Sequence, residues 1–86
     1  MNINDLNDTI KKKISEQLMI DEILIEDKTY LHLKHKNFQK NKFNIKIFIK
    51  SKELSNMSKI NSTKKIYEIL KLEIKNYIHS VQIVLK

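Results

Sequence analysis

The run Phe43-Asn44-Ile45-Lys46-Ile47-Phe48-Ile49-Lys50 decides most of what this chain can become. Successive side chains of a strand alternate faces, so Phe43, Ile45, Ile47 and Ile49 share one side and Asn44, Lys46 and Lys50 the other. A strand with one apolar face needs an apolar layer to cover it. The chain has 86 residues, room for one domain, so that layer has to come from within the same small unit. The expectation is a single domain over residues 1–86.

Two amphipathic segments can supply the layer. Leu6, Ile10, Ile14 and Leu18 recur at steps of four and predict a helix from Asn4 to Leu18, with Asn4 or Asp5 as N-cap. Lys11, Lys12 and Lys13 fall on its polar side. Ile66, Ile69, Leu70 and Ile74 make a second stripe, on a long helix opened by Ser62-Thr63 and closed at Tyr77 or Ile78. Residues 51–61 are weakly patterned and read as a short helical turn followed by loop. Ile23 and Ile25 mark a short strand over residues 22–27. Val81, Ile83 and Leu85, alternating with Gln82 and Val84, mark a last one. The order is helix, strand, strand, helix, strand. The helix between the second and third strands returns the chain to run parallel, so the fold class is α+β: a three-stranded mixed sheet with its helices on one face.

Composition removes most chemistries. Without cysteine there are no disulfides, zinc fingers or thiol nucleophiles, and without glycine no Walker A or Rossmann phosphate loop. No window approaches ~18 uncharged apolar residues, and the acidic, polar start has no signal-peptide pattern. The expectation is a cytoplasmic protein without a membrane partner. Asp21, Glu22, Glu26 and Asp27 cluster, but Glu26 and Asp27 are neighbours in a strand and their side chains diverge. Ser62 and Thr63 serve as helix caps. Nothing here makes an enzyme.

The charge balance is 17 − 10 = +7, and every basic residue is lysine. Such a balance suits nucleic acid, although the bidentate arginine contact to guanine is missing. Lys34, Lys36, Lys40 and Lys42 surround Phe38 in a polar segment, a pattern that suits single strands. Lys64, Lys71 and Lys75 lie on the polar side of the second long helix, interrupted by Glu68. Three histidines, His32, His35 and His79, are the side chains that titrate near neutral pH and the ones suited to a transition metal. His79 at a helix C-terminus is equally explained by the helix dipole, and His32 and His35 by plain exposure.

The order of elements, with two local segments, resembles the BolA family. Asp27, Thr29, His32 and His35 match that family's acidic, hydroxyl and spaced-histidine stretch after its first strand. Lys65-Ile66-Tyr67 and then Tyr77-Ile78-His79-Ser80-Val81 are similar to its Val-Tyr helix and its Val/Ile-His-Ala-Leu segment. The likeness runs from about Leu6 to Leu85. The family's Arg-His-Arg before the Val-Tyr pair is Ser62-Thr63-Lys64 here, and its Phe-x-Gly is Leu54-Ser55-Asn56.

The resemblance implies the KH-like fold of the second KH topology and a partnership with a monothiol glutaredoxin. In such complexes a [2Fe–2S] cluster is held by the glutaredoxin cysteine, a glutathione thiol and BolA histidines. His79 and His32 match those ligands, with His35 the competing loop ligand. The isolated chain then carries no cofactor. A chain without glycine has no GXXG clamp for nucleic acid. Some BolA proteins are described as transcriptional regulators. The alternative is therefore a DNA-binding regulator using Lys64, Lys71, Lys75, Lys34 and Lys36. Association into a homodimer stands as a further expectation.

Overall fold

A computed structural model describes residues 2–29 and 42–86. The chain forms α1 (Ile3–Gln17), β1 (Glu22–Asp27), β2 (Phe43–Lys50), α2 (Lys52–Ser55), α3 (Lys59–Ile69), α4 (Lys71–Asn76) and β3 (Ile78–Leu85). The sheet order is β1-β2-β3, with β1 antiparallel and β3 parallel to the central strand. The α+β class and mixed sheet are as the sequence implies.

The core is the covered side of this sheet. Ile45, Ile47 and Ile49 of β2 and Ile25 of β1 are buried against Leu6, Ile10 and Ile14 of α1 and Ile66 and Ile69 of α3. Burial of such side chains contributes about 1.5–3 kcal/mol each, the dominant favourable term in a unit this small. On the uncovered side Leu24, Phe48 and Val84 lie in register across the three strands. The Nζ atoms of Lys46 and Lys86 stand 4.9 and 5.5 Å from the centre of the Phe48 ring, within cation–π range.

Several boundaries differ from the sequence expectation, each for a local reason. The N-cap of α1 is Asn2, two or three residues before Asn4 and Asp5: its side chain accepts from the Asp5 amide at 2.8 Å. The second long helix opens at Lys59. Ser58 caps it by accepting from the Asn61 amide at 3.1 Å. Ser62 is instead fully buried in the first turn, where its hydroxyl lies 2.8 Å from the Leu54 carbonyl and 2.9 Å from that of Ser58. The helix also breaks at Leu70, whose backbone (φ −97°, ψ 15°) leaves the helical region between α3 and α4. Tyr77 is the C-cap of α4 and Ile78 already belongs to β3. The short turn after Ser51 is α2, with Ser51 as its cap.

Lys13 is not a solvated lysine. Its Nζ lies 2.6 Å from Glu73 Oε2, joining α1 to α4, and the Glu73 side chain is 6% exposed.

Candidate functional site

The start of β3 carries an irregularity. Phe43 pairs with Ile78 and Asn44 with Ser80, so one extra residue, His79, is accommodated in β3. The alternation of Leu85, Ile83 and Val81, carried back by two, would take His79 to the covered face. The bulge gives that place to Ile78, which is 3% exposed, and leaves His79 in solvent. A bulge inserts a residue outside the ladder and re-aims its side chain, a device common beside functional sites. His79 is thus neither buried in the core nor a helix-terminal residue.

A hydrogen-bonded chain fixes the sheet end beside it. The Ser80 hydroxyl donates to Asn44 Oδ1 at 2.5 Å. Asn44, 2% exposed, donates its amide to Thr29 Oγ1 at 3.1 Å, and Thr29 donates its hydroxyl and amide to Asp27 Oδ1. Lys28 donates its amide to the Asn44 carbonyl at 2.6 Å. Asp27, Asn44 and Ser80 thus belong to three different strands joined at one end. Phe43 donates its amide to Tyr77 at 2.9 Å, and Lys42 Nζ reaches the Lys75 carbonyl at the α4 terminus. The end of β1, the start of β2 and the start of β3 are consequently held as one rigid edge. An open concavity of about 360 Å³ beside Ser80 has Lys28, Lys46 and Gln82 in its lining.

The acidic residues of the sequence are spread out as expected. Glu26 Oε2 lies 2.6 Å from Lys28 Nζ. That hydrogen bond holds the Glu26 carboxyl below its ordinary range. The charges of Lys28 and Lys46 act in the same direction, and partial removal from water opposes them. Asp27 is occupied by Thr29.

Among the described residues no group of three or more His, Cys, Asp or Glu side chains is assembled that could hold a metal. His79 stands apart from any such group. His32, His35, Lys34 and Lys36 lie outside the described residues. They belong to the connection between β1 and β2, which leaves and re-enters the sheet at the end where His79 stands. Lys64, Lys71 and Lys75 are exposed on α3 and α4. Asn44 and Ser80 were not marked by the sequence pattern as site residues. Asn44 falls on the polar side of β2, and its buried partnership comes only from the bulge that sets Ser80 opposite it.

A model of the BolA-like protein family matches residues 14–86. The chain belongs to the BolA-like family. Its architecture is similar to the BolA domain of SufE1 from Arabidopsis thaliana: TM-score 0.78 and 24% identity over 100% of this chain and 93% of that one. BolA1 from the same plant gives TM-score 0.75 and 24% identity over 92% and 87% of the two chains. A bol-like protein from Babesia bovis gives 0.68 and 10% identity over 91% and 79%. At these identities the structural likeness speaks for the BolA fold alone. No curated protein sequence matches the chain.

Proposed function

We propose that this BolA-like chain is the partner of a monothiol glutaredoxin and shares a [2Fe–2S] cluster with it through His79 and a second histidine, His32, with His35 as the competing ligand. The observation that carries the reading is the bulge: it removes His79 from the ladder and presents an imidazole to solvent beside a rigid sheet end. The donor chemistry agrees. A chain without cysteine offers imidazole alone, so thiolates have to come from the partner protein and glutathione. Within this chain, Ile78 anchors the strand in the core and the Ser80–Asn44 hydrogen bond fixes the residue after the ligand. The cluster is cargo held between two proteins, in trafficking or in iron regulation.

The test mixes the protein with cluster-loaded glutaredoxin and follows visible circular dichroism. A new spectrum is expected, abolished by His79→Ala and by His32→Ala and little changed by His35→Ala. Imidazole binds iron in its neutral form, so proton competition in acid is expected to weaken the mixed species. A mixture spectrum equal to that of glutaredoxin alone refutes the reading.

A second reading, direct DNA binding by a transcriptional regulator, is supported by the exposure of Lys64, Lys71 and Lys75 on α3 and α4. A phosphate-driven complex weakens with salt at a log–log slope of about −0.9 per contact. A mobility shift missing at ~50 mM salt eliminates it.

A further inference from the structure

The apolar row Leu24, Phe48 and Val84 crosses the side of the sheet that no described helix covers. Phe48 stands at its centre, on the middle strand, and Leu24 beside it is 54% exposed. Side chains two residues apart share a face, so Lys46 and Lys50 flank Phe48 along β2. Lys86 joins them from the end of β3. Two of the three ammonium groups rest over the ring, 4.9 and 5.5 Å from its centre. Among the described residues none of the three is in an ion pair: Glu26, the register partner of Lys46, is taken by Lys28.

The charge of this patch decides what can cover it. Three ammonium groups around one ring repel a second copy brought face to face, since each copy carries +7. The connection between β1 and β2 is no better suited. Residues 30–41 contain Lys34, Lys36 and Lys40 and no Asp or Glu. An anionic partner is the complement. An acidic peptide answers the lysines but leaves the ring unused, and a duplex keeps its bases stacked inside. A single strand offers both a phosphate for each ammonium group and a free π-face for the ring.

We propose that the Phe48 face of the sheet is a binding platform for single-stranded nucleic acid. One base stacks on Phe48, and Lys46, Lys50 and Lys86 hold the phosphates on either side of it. Leu24 and Val84 extend the apolar floor. Glu22 and Glu26, in register with Lys50 and Lys46, face the same side and keep the phosphates on the β2–β3 half. The platform is separate from the lysines of α3 and α4 and reads neither groove of a duplex. Phe48 lies about 17 Å along β2 from Phe43, the end of the sheet where His79 stands, so the proposal does not rest on the glutaredoxin reading.

Titration of the full chain into a labelled oligothymidylate of about 12 nucleotides, followed by fluorescence anisotropy, tests it. Binding is expected to weaken with salt at a log–log slope of about −2, from three contacts at about −0.7 each. Phe48→Leu removes the ring, keeps an apolar side chain at this half-buried position, and is expected to weaken binding about tenfold; Phe48→Tyr retains it. Lys86→Gln lies beyond the last strand, leaves the core intact and is expected to reduce the slope by about 0.7. The Phe48 ring protons should move upfield on binding. Equal affinity of Phe48→Leu, or equally tight binding of a duplex of the same length, overturns the proposal, since the lysines would then act by charge alone. So does a polyglutamate peptide that binds with the same dependence on the ring, which marks a site for acidic segments. Overhauser contacts between the Phe48 ring and residues 30–41 in the free protein overturn it as well, because the chain itself would then cover the platform.

Discussion

Ser80 donates its hydroxyl to Asn44 Oδ1, tying the starts of two parallel strands together across the sheet. Asn44 is 2% exposed and its backbone amide is held by Thr29, so this amide side chain is a structural member of the site's foundation. Asn44→Ala removes the acceptor, and the exposed Ser80 hydroxyl turns to water instead. The expected loss is about 0.5–1.5 kcal/mol of stability, read from urea unfolding. The amide resonances of His79 and Ser80 should shift more than those of β1.

His79 itself should behave in the reverse way. Its side chain is exposed and its position adds nothing to the ladder. His79→Ala is expected to change stability by less than about 0.5 kcal/mol while abolishing the glutaredoxin-dependent spectrum. Equilibrium unfolding of the variant beside its dichroism separates the two effects.

Lys13 and Glu73 make the strongest electrostatic commitment outside the site. Glu73 Oε2 receives Lys13, and Oε1 is buried without a hydrogen-bond partner among the described residues. Lys13→Met strands a carboxylate in the interior and is expected to cost about 1–3 kcal/mol, discounted because the lysine is one-third exposed. The double variant Lys13→Met, Glu73→Leu should recover most of it. Thermal unfolding of the single and double variants checks the pair.

Glu26 supplies a pH marker. Its carboxyl is held low in the folded state, mainly by the hydrogen bond from Lys28. The sign follows: its stabilising contribution is complete above the unfolded carboxylate pKa and is lost as pH falls through the depressed folded value. Carboxyl-carbon NMR should find Glu26 titrating below an unpaired glutamate, and Lys28→Ala should bring it back toward the ordinary range.

Ile47 is fully buried at the centre of the middle strand. Ile47→Asp places an unpaired carboxylate there, a penalty of several kcal/mol against a total of roughly 5, and the protein is expected to unfold. Far-UV dichroism and amide dispersion report the outcome directly.

Elements with clean periodicity were legible from residues alone. The alternation from Phe43 to Ile49 and the four-step stripe from Leu6 to Leu18 required nothing beyond local spacing. At the second long helix a contact to α2 overrode the local cap signal, whereas the start of α1 was misread by the local choice of cap alone. Ser62-Thr63 has cap chemistry, yet the hydroxyl of Ser62 is used inside a helix that Ser58 begins. The stripe Ile66, Ile69, Leu70, Ile74 runs on through a backbone break that hydrophobic spacing does not register. At the site, the Ile78-His79-Ser80 segment pointed to the histidine only through family likeness. A bulge has no composition signal, and without it the period-2 pattern assigns His79 to the wrong face.

That bulge also separates what the fold needs from what the site needs. Were position 79 deleted, Ile78 and Ser80 would sit consecutively against Phe43 and Asn44, already its register partners, on the faces they now occupy. The shortened chain would possess the more regular sheet. A laboratory population screened solely for folded, protease-resistant protein should therefore tolerate the deletion, whereas one screened for cluster-dependent growth should not. On the proposed function, position 79 is a residue the sheet can do without and the shared cluster requires.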